Sequence, residues 1–364
     1  MTAREIVANI GAGWNLGNTF DARGNETAWV KHVTTKANIQ AIADGGFDAI
    51  RIPITWTEGT GANAYNYWTI NEAWLNRIEE VVQWAYDLGI TVIINTHHED
   101  IIHNQLLSNP EMSHYIFTRI WSQIASHYNH QFGERLIFEG HNEPRVIGGM
   151  EEWTGGTPQQ HQMINRQYQS FVDIVRASGG NNKYRSLMIA PHAASATKKA
   201  LNGLELPKDS TPDCLILSVH TYSPFDFTFK ESSLSQFNPN ATRENPGPYG
   251  EDWNHHSTPE RILHFFDNIQ ARANELDVPV ILGEWGSQDK GNTKYRAAHA
   301  KFYVGEAKRR GFATFWWDNN KATGKGELFA IFNREKNTWY FPEIVNAIME
   351  GATSNTYTDK IHTP

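Results

Sequence analysis

Residues 136–145 read LIFEGHNEPR, and the order of these residues decides the fold. Leu136, Ile137 and Phe138 make a brief apolar run bounded by turn-forming residues, which suits a short strand covered on both faces. Pro144 lacks an N–H and biases Glu143 towards an extended backbone. Asn142 and Glu143 are therefore expected at the C-terminal end of that strand. In a barrel of parallel strands, that end is the rim on which catalytic groups sit. Taken alone, Glu143 reads equally well as a surface carboxylate, because loop ends are polar anyway.

The same pattern recurs along the chain: a short apolar run, a polar end, then a helical segment. Candidate strands are Gly11–Asn18, Asp48–Pro53, Ile90–His98, Leu136–Glu143, Ser186–Pro191, Leu215–Tyr222, Val278–Gly286 and Phe312–Asp318. The clearest helix follows Asn71, an N-cap residue. Trp74, Ile78, Val81, Ala85 and Leu88 keep helical spacing, and Gly89 ends it. Further helices are predicted near Thr35–Asp44, Ser113–His130, Gln159–Ala177, Ser195–Leu201, Thr258–Glu275, Thr293–Arg310 and Phe341–Met349. This alternation predicts an α/β fold, a (β/α)8 barrel in which residues 1–364 form one domain, with a doubly wound open sheet as the alternative. Ser223–Ser257 breaks the rhythm, being rich in Phe, Asn, Pro and His without helical period. A loop of that length is usually functional, so it is read as a wall or lid over the site.

Composition excludes several classes. The 364 residues are 40% hydrophobic, enough for a large core, and the net charge of −8 argues against a nucleic-acid partner. No apolar stretch approaches the ~18–20 residues of a membrane span, so no membrane partner is expected. The N-terminal MTAREIVANIGAG shows no basic region followed by an apolar core; the chain reads as either cytoplasmic or a trimmed mature domain. A single cysteine, Cys214, excludes an intramolecular disulfide and the cysteine-rich zinc patterns, and reads as a small buried apolar group. His97, His98, Glu99, Asp100 and His103 lie close together. However, the His-Glu-x-x-His spacing is absent and adjacent strand residues point to opposite faces, so no catalytic metal is expected. GAGWNLG (residues 11–17) and NKATGKGE (residues 320–327) miss the spacing or the residue types of nucleotide-binding loops, and no cofactor is expected.

Chemistry gathers instead at the predicted strand ends: Asn18, Arg51, His97 and His98, Asn142 and Glu143, His220 and Tyr222, Glu284, and Trp316 and Trp317. Buried polar groups cost free energy unless paired, so such convergence points to a site. Glu143 and Glu284, on the fourth and seventh strands, can face one another across a barrel mouth. Two opposed carboxylates are what cleavage of a glycosidic bond needs. The thirteen tryptophans divide between packing and flat platforms for sugar rings. Trp74, Trp84 and Trp121 fall in helical patterns and are assigned to the core. Trp56, Trp68, Trp153 and Trp253 fall in loops and are candidates for outer sugar subsites. Asp318 and Asn319 are candidate contacts to neighbouring sugars, and Glu139 is a structural charge expected to pair with an arginine beneath the site.

Seven ordered stretches carry a resemblance: GWNLGNTFD (13–21), IRIPITW (50–56), INTHH (94–98), FEGHNEPR (138–145), HTYSPFDFT (220–228), GEWG (283–286) and FWWDN (315–319). In these the chain resembles glycoside hydrolase family 5, and within it subfamily 4, the bacterial and rumen endoglucanases. The resemblance implies a retaining enzyme that cuts internal β-1,4 bonds of cellulose, mixed-linkage glucan or xyloglucan. Mannan or xylan specificity, or a non-catalytic sugar-binding barrel, are the alternatives. It implies Glu143 as acid/base, with a raised pKa, and Glu284 as nucleophile. Asn142 would bond the 2-hydroxyl of the −1 sugar, Arg51 would favour the charge on Glu284, and Tyr222 would orient it. His97 and His220 would line the −1 site, with His98 behind them and Asn18 at the end of the first strand. Trp317 would stack beneath the sugar. His141 stands where the family commonly has a hydrophobic residue. A secreted or cell-surface monomer acting on β-glucan, its leader removed, is expected.

Overall fold

The computed structural model describes residues 1–58, 62–230, 235–240 and 259–353. Eight parallel strands close into a barrel in sequence order. They are β1 (Gly13–Leu16), β2 (Ala49–Ile52), β3 (Thr91–Asn95), β4 (Leu136–Glu139), β5 (Leu187–Ile189), β6 (Leu215–His220), β7 (Val280–Trp285) and β8 (Ala313–Asp318), and β1 pairs with β8 to complete the ring. A two-residue hairpin, β9 (Phe332–Asn333) with β10 (Thr338–Trp339), follows the barrel. The helices are α1 (Ala3–Asn9), α2 (Lys36–Asp44), α3 (Glu72–Asp87), α4 (Asp100–Asn104), α5 (Pro110–Tyr128), α6 (Pro158–Ala177), α7 (Lys198–Gly203), α8 (Phe225–Thr228), α9 (Pro259–Leu276), α10 (Thr293–Arg309) and α11 (Pro342–Ala352). The barrel expected from the sequence is the fold observed.

Local chemistry sets the element ends. Asn71 caps α3 by accepting from the N–H of Ala73, and Leu75, Ile78, Val81, Val82 and Ala85 bury one face. Pro110 at the first turn starts α5 three residues before the predicted Ser113, because a missing N–H costs nothing there. The short α1 was not predicted. It is closed by a reciprocal Thr2–Glu5 capping box.

Side chains alternate along each strand between the barrel interior and the helix layer. Val92, Ile94, Leu136 and Phe138 join the outer core beneath the helices. Ala49, Ile93, Ile137, Met188, Ile216, Ile281, Ala313 and Phe315 form a separate interior cluster, into which α1 inserts Ala3, Ile6 and Val7, joined by Ile10 just after it. Phe315 fills the space beside Gly13, where an added Cβ would come within 2.3 Å of its ring. Two residues further along the same strands, the interior becomes polar: Asn15, Arg51, Asn95, Glu139 and Ser218, all fully buried. The next step reaches His97 and His220, while Trp317, in register with Asn15, lines the mouth from β8.

Candidate active site

The mouth holds a cavity of about 750 Å³, with Asn18, His97, His98, Asn142, Glu143, Tyr222, Glu284 and Trp317 among its lining residues. Eight of the ten predicted site residues thus line one space; the other two, Arg51 and His220, lie against its carboxylates, Arg51 on Glu284 and His220 on Glu143. Glu284 faces inward through an irregularity. The pairing of β7 shifts register against both β6 and β8, which re-aims a side chain by one position. Trp285 therefore points outward and stacks on Tyr303 of α10, at 4.4 Å between ring centroids. Gly283 permits this, because a Cβ there would meet His220 Nε2 at 2.9 Å.

Arg51 organises the floor of the cavity. Its Nε donates to Glu139 Oε2 at 2.8 Å, and its Nη1 to Asn15 Oδ1 at 3.0 Å and Glu284 Oε1 at 2.8 Å. Its Nη2 donates to Asn142 Oδ1 at 2.8 Å and lies 2.7 Å from Glu139 Oε2. Burial opposes the guanidinium's charge, but Glu139 and Glu284 outweigh it and raise its pKa. Because Arg51 takes the amide oxygen of Asn142, the NH₂ end is left for the cavity. Tyr222 donates its hydroxyl to Glu284 Oε2 at 2.9 Å, and burial, then Glu284 and Glu143, raise the phenol's pKa well above its ordinary value. The arginine expected beside Glu139 is thus Arg51 itself.

Glu143 departs from expectation. Burial pushes its pKa up, but a hydrogen bond with His220, the charge of His220, Arg145 and Arg51 outweigh burial and lower it. His220 Nδ1 lies 2.9 Å from Glu143 Oε1 and 3.8 Å from Glu284 Oε2. Burial works against the imidazolium, yet Glu284 and Glu143 raise its pKa. The two shifts favour the imidazole over the carboxylate as the holder of a shared proton. The expected upward displacement of Glu143 is absent here, because its neighbour donates to it. His97 is held well below the ordinary value of 6.5 by burial, then by His98 and Arg51, and His98 falls to about 4 for the same first reason. His98 meets His97 edge-on at 4.5 Å, and the His97 ring lies parallel to Trp317 at 6.0 Å.

Several assignments are corrected. Asn18 is not on β1, which ends at Leu16; it reaches the cavity from a turn, at φ 57°. Trp56 is fully buried and donates Nε1 to Asn95 O at 2.7 Å, so it is no subsite. Trp68 packs against the core. Asp318 is fully buried, accepting from the N–H groups of Ile331 and Phe332 and from Arg334, and Asn319 donates to Glu327 O. Neither is presented to a sugar. Trp74 and Trp84 are partly buried against the core and Trp121 is fully buried, as expected. Trp153 does line the cavity and is 60% exposed. Trp253 lies outside the described residues, as does most of the expected lid. The described start of that segment forms α8 instead of an unstructured loop, and Phe225 and Phe229 from it line the cavity. Trp29 and Glu327 also line it and were missed; each sits in a loop with no periodicity to flag it.

One carboxylate oxygen of Glu143, one of Glu284 and a nitrogen of His220 lie within 4.8 Å of one another, as do ligand atoms of Asp21, His97 and His98. Such groups can hold a cation. In the first, His220, Tyr222 and Arg51 already engage both carboxylates.

A parallel barrel that brings two carboxylates together at its mouth, beneath aromatic walls, is the frame of a glycoside hydrolase. Comparison with known proteins gives the family. Residues 15–323 match the cellulase family, glycosyl hydrolase family 5, and the chain belongs to it. It is 39% identical over 353 residues to the cellulase/esterase CelE of Acetivibrio thermocellus, covering 97% of this chain but 41% of that protein. It is 36% identical to endoglucanase B of Clostridium cellulovorans, covering 97% of this chain and 76% of that protein. Among solved structures, a GH5-4 broad specificity endoglucanase from Ruminococcus champanellensis with bound cellotriose superposes with a TM-score of 0.87 at 34% identity, covering 96% and 98% of the two chains.

Proposed function

We propose that this chain is an endo-acting β-1,4-glucanase that cleaves cellulose and related β-glucans, including mixed-linkage glucan and xyloglucan, by double displacement with retention. The observation that carries the reading is the approach of Glu143 and Glu284 oxygens to within 4.8 Å across the cavity. Retaining pairs stand ~5–5.5 Å apart, whereas inverting pairs leave ~6.5–9.5 Å for a water. The names borne by the relatives support the substrate class, and "broad specificity" in one of them supports tolerance of branched or mixed chains.

A Glu284 carboxylate oxygen attacks the anomeric carbon as the glycosidic bond breaks. Glu143 delivers a proton to the departing oxygen, which leaves as a free hydroxyl. Glu143, now a carboxylate, takes a proton from water, whose oxygen attacks the same carbon and displaces Glu284. His220 keeps the proton beside Glu143 until sugar fills the cavity. The Asn142 amide NH₂ reaches the 2-hydroxyl, and Trp317 supports the −1 ring. Trp29 and Trp153 come from the loops after β1 and β4. Their platforms therefore lie on different sides of the mouth, as an internal cut of a long chain requires. Such polymers do not enter cells, which supports secretion or display at the cell surface; fractionating cultures for the protein tests that point.

The test is hydrolysis of carboxymethylcellulose, barley β-glucan, xyloglucan, glucomannan and xylan by wild type and Glu284→Gln, with the product anomer followed by NMR. Rapid loss of viscosity, initial β-anomer and no turnover by the variant are expected. An initial α-anomer, or a fully active Glu284→Gln, refutes the reading.

A further inference from the structure

We infer that Glu139, which touches no substrate, is a positioning residue for the nucleophile and acts through Arg51. The inference rests on the assignment of Glu284 proposed above.

Glu139 is wholly buried at the end of β4, two residues beyond Ile137 on the interior side. Its Oε2 takes Nε of Arg51 at 2.8 Å and lies 2.7 Å from Nη2. Asn95 Nδ2 donates to the same oxygen at 3.0 Å, and Ser218 Oγ donates to Oε1 at 2.7 Å. Strands β2, β3, β4 and β6 thus meet on one carboxylate. A guanidinium has five donors in a fixed plane, and here four hydrogen bonds hold it, with Nη2 also in ion-pair contact with Glu139 Oε2. Glu139 grips the Nε side, so the plane cannot turn. That fixes Nη1 on Glu284 and Nη2 on the amide oxygen of Asn142.

Charge gives Glu139 a second effect. One buried cation serves two carboxylates, so Arg51 neutralises neither alone. Without the charge of Glu139, Arg51 would pair with Glu284 only and hold its electrons more tightly. A nucleophile held that way attacks more slowly. The other groups facing Glu284 are His220 at the end of β6 and Tyr222 just after it, Glu143 after β4, and at longer range Asp21 and Glu327. None of them is altered in a Glu139→Gln variant, which keeps the size of the side chain, removes its charge and, with one acceptor oxygen where the carboxylate has two, loosens the grip on Arg51.

The experiment measures kcat and KM separately on cellotetraose for wild type, Glu139→Gln, Glu139→Asp and Glu284→Gln, with circular dichroism as a check of folding. Glu139→Gln is expected to lose ~100-fold in kcat, the order of a small misplacement of reacting groups, with KM within about two-fold. Glu139→Asp keeps the charge but withdraws the grip, so it should lose ~10-fold in kcat. A folded Glu139→Gln with wild-type kcat overturns the inference while Glu284→Gln stays inactive. An active Glu284→Gln overturns the nucleophile assignment instead. Should Glu139→Gln fail to fold, Glu139→Asp carries the test, and wild-type kcat in it is the overturning result.

Discussion

The two ends of the barrel interior are built from the same strands with opposite chemistry. On β4, Ile137 lies in the apolar floor sealed by α1, and Glu139, one interior step higher, lies in the ionic layer under the cavity. On β2 the same step leads from Ala49 to Arg51, on β3 from Ile93 to Asn95, and on β6 from Ile216 to Ser218. The floor needs only volume and excluded water. The upper layer needs each donor matched to an acceptor, because an unpaired buried charge is far costlier than a missing methyl group. Stability is therefore expected to concentrate at one end and chemistry at the other.

The largest expected departure lies at the top. Glu143→Ala should lower kcat/KM on plain glucan by ~10²–10⁴-fold, the usual contribution of a general acid. An aryl cellobioside with a good leaving group should lose much less in its first step, because that oxygen departs without a proton. Equal losses on both substrates would remove Glu143 from the acid role. At the floor, Ile137→Ala should cost ~2–5 kcal/mol of stability, read from urea unfolding, with kcat unchanged on the folded protein. A fall in kcat as large as that of a rim variant would break the division between the two ends.

Much of this division is legible in the sequence, and the limits are physical. Apolar runs ending in polar residues exposed the strands, and Arg51, Asn142, Glu143, Tyr222 and Glu284 all stand at or just beyond such ends. The middle polar layer was also available by stepping back two residues, from His97 to Asn95 and from His220 to Ser218, because strand side chains repeat with period two. What could not be read depends on partners distant in the chain. Trp56 looks like a loop platform until Asn95 O takes its indole N–H. Asp318 looks like a sugar contact until Ile331, Phe332 and Arg334 close over it. The lowered pKa of Glu143 comes from His220, which no local pattern places 2.9 Å away. The inward turn of Glu284 needs a register shift that strict alternation does not contain.

A smaller effect tests the shell outside both ends. His141 is buried against Phe117, with Nε2 on Gln167 and His103 5.5 Å away between ring centroids, and burial lowers its pKa to about 3. The folded pKa lies below the unfolded value of 6.5. The unfolded chain therefore takes the proton first on acidification, and the stabilisation present above pH 6.5 is lost as pH falls towards 3. His98, His192 and His299, each lowered to about 4 by burial first, act in the same direction. Asp21 and Glu99, raised to about 7 by burial, oppose them, since their contribution is present at low pH and lost as pH rises through 7. The histidines outnumber the acids, so stability should fall between pH 6.5 and 4. His141→Met should remove ~2 kcal/mol of the loss that wild type suffers between pH 6.5 and 5. An unchanged slope of unfolding midpoint against pH would show that this ring is not among the groups that titrate.

The smallest effect belongs to the cavity's outer edge. Trp153 is exposed there, and Arg145 covers one of its faces at 4.4 Å while bonding Glu152 and the backbone oxygen of Glu143. Its other face is free for a sugar ring. A platform that far from the reacting atoms holds substrate and transition state alike, so losing it weakens binding without slowing chemistry. Trp153→Ala should therefore raise KM on long β-glucan chains by ~3- to 10-fold, the equivalent of ~0.5–1.5 kcal/mol for one aromatic contact. The kcat should stay the same, and an aryl cellobioside too short to reach the platform should show no change. If kcat falls on the short substrate as well, Trp153 instead serves the chemistry by bracing Arg145 against Glu143. The line between a binding edge and a reacting rim would then lie one residue shell further out than the fold implies.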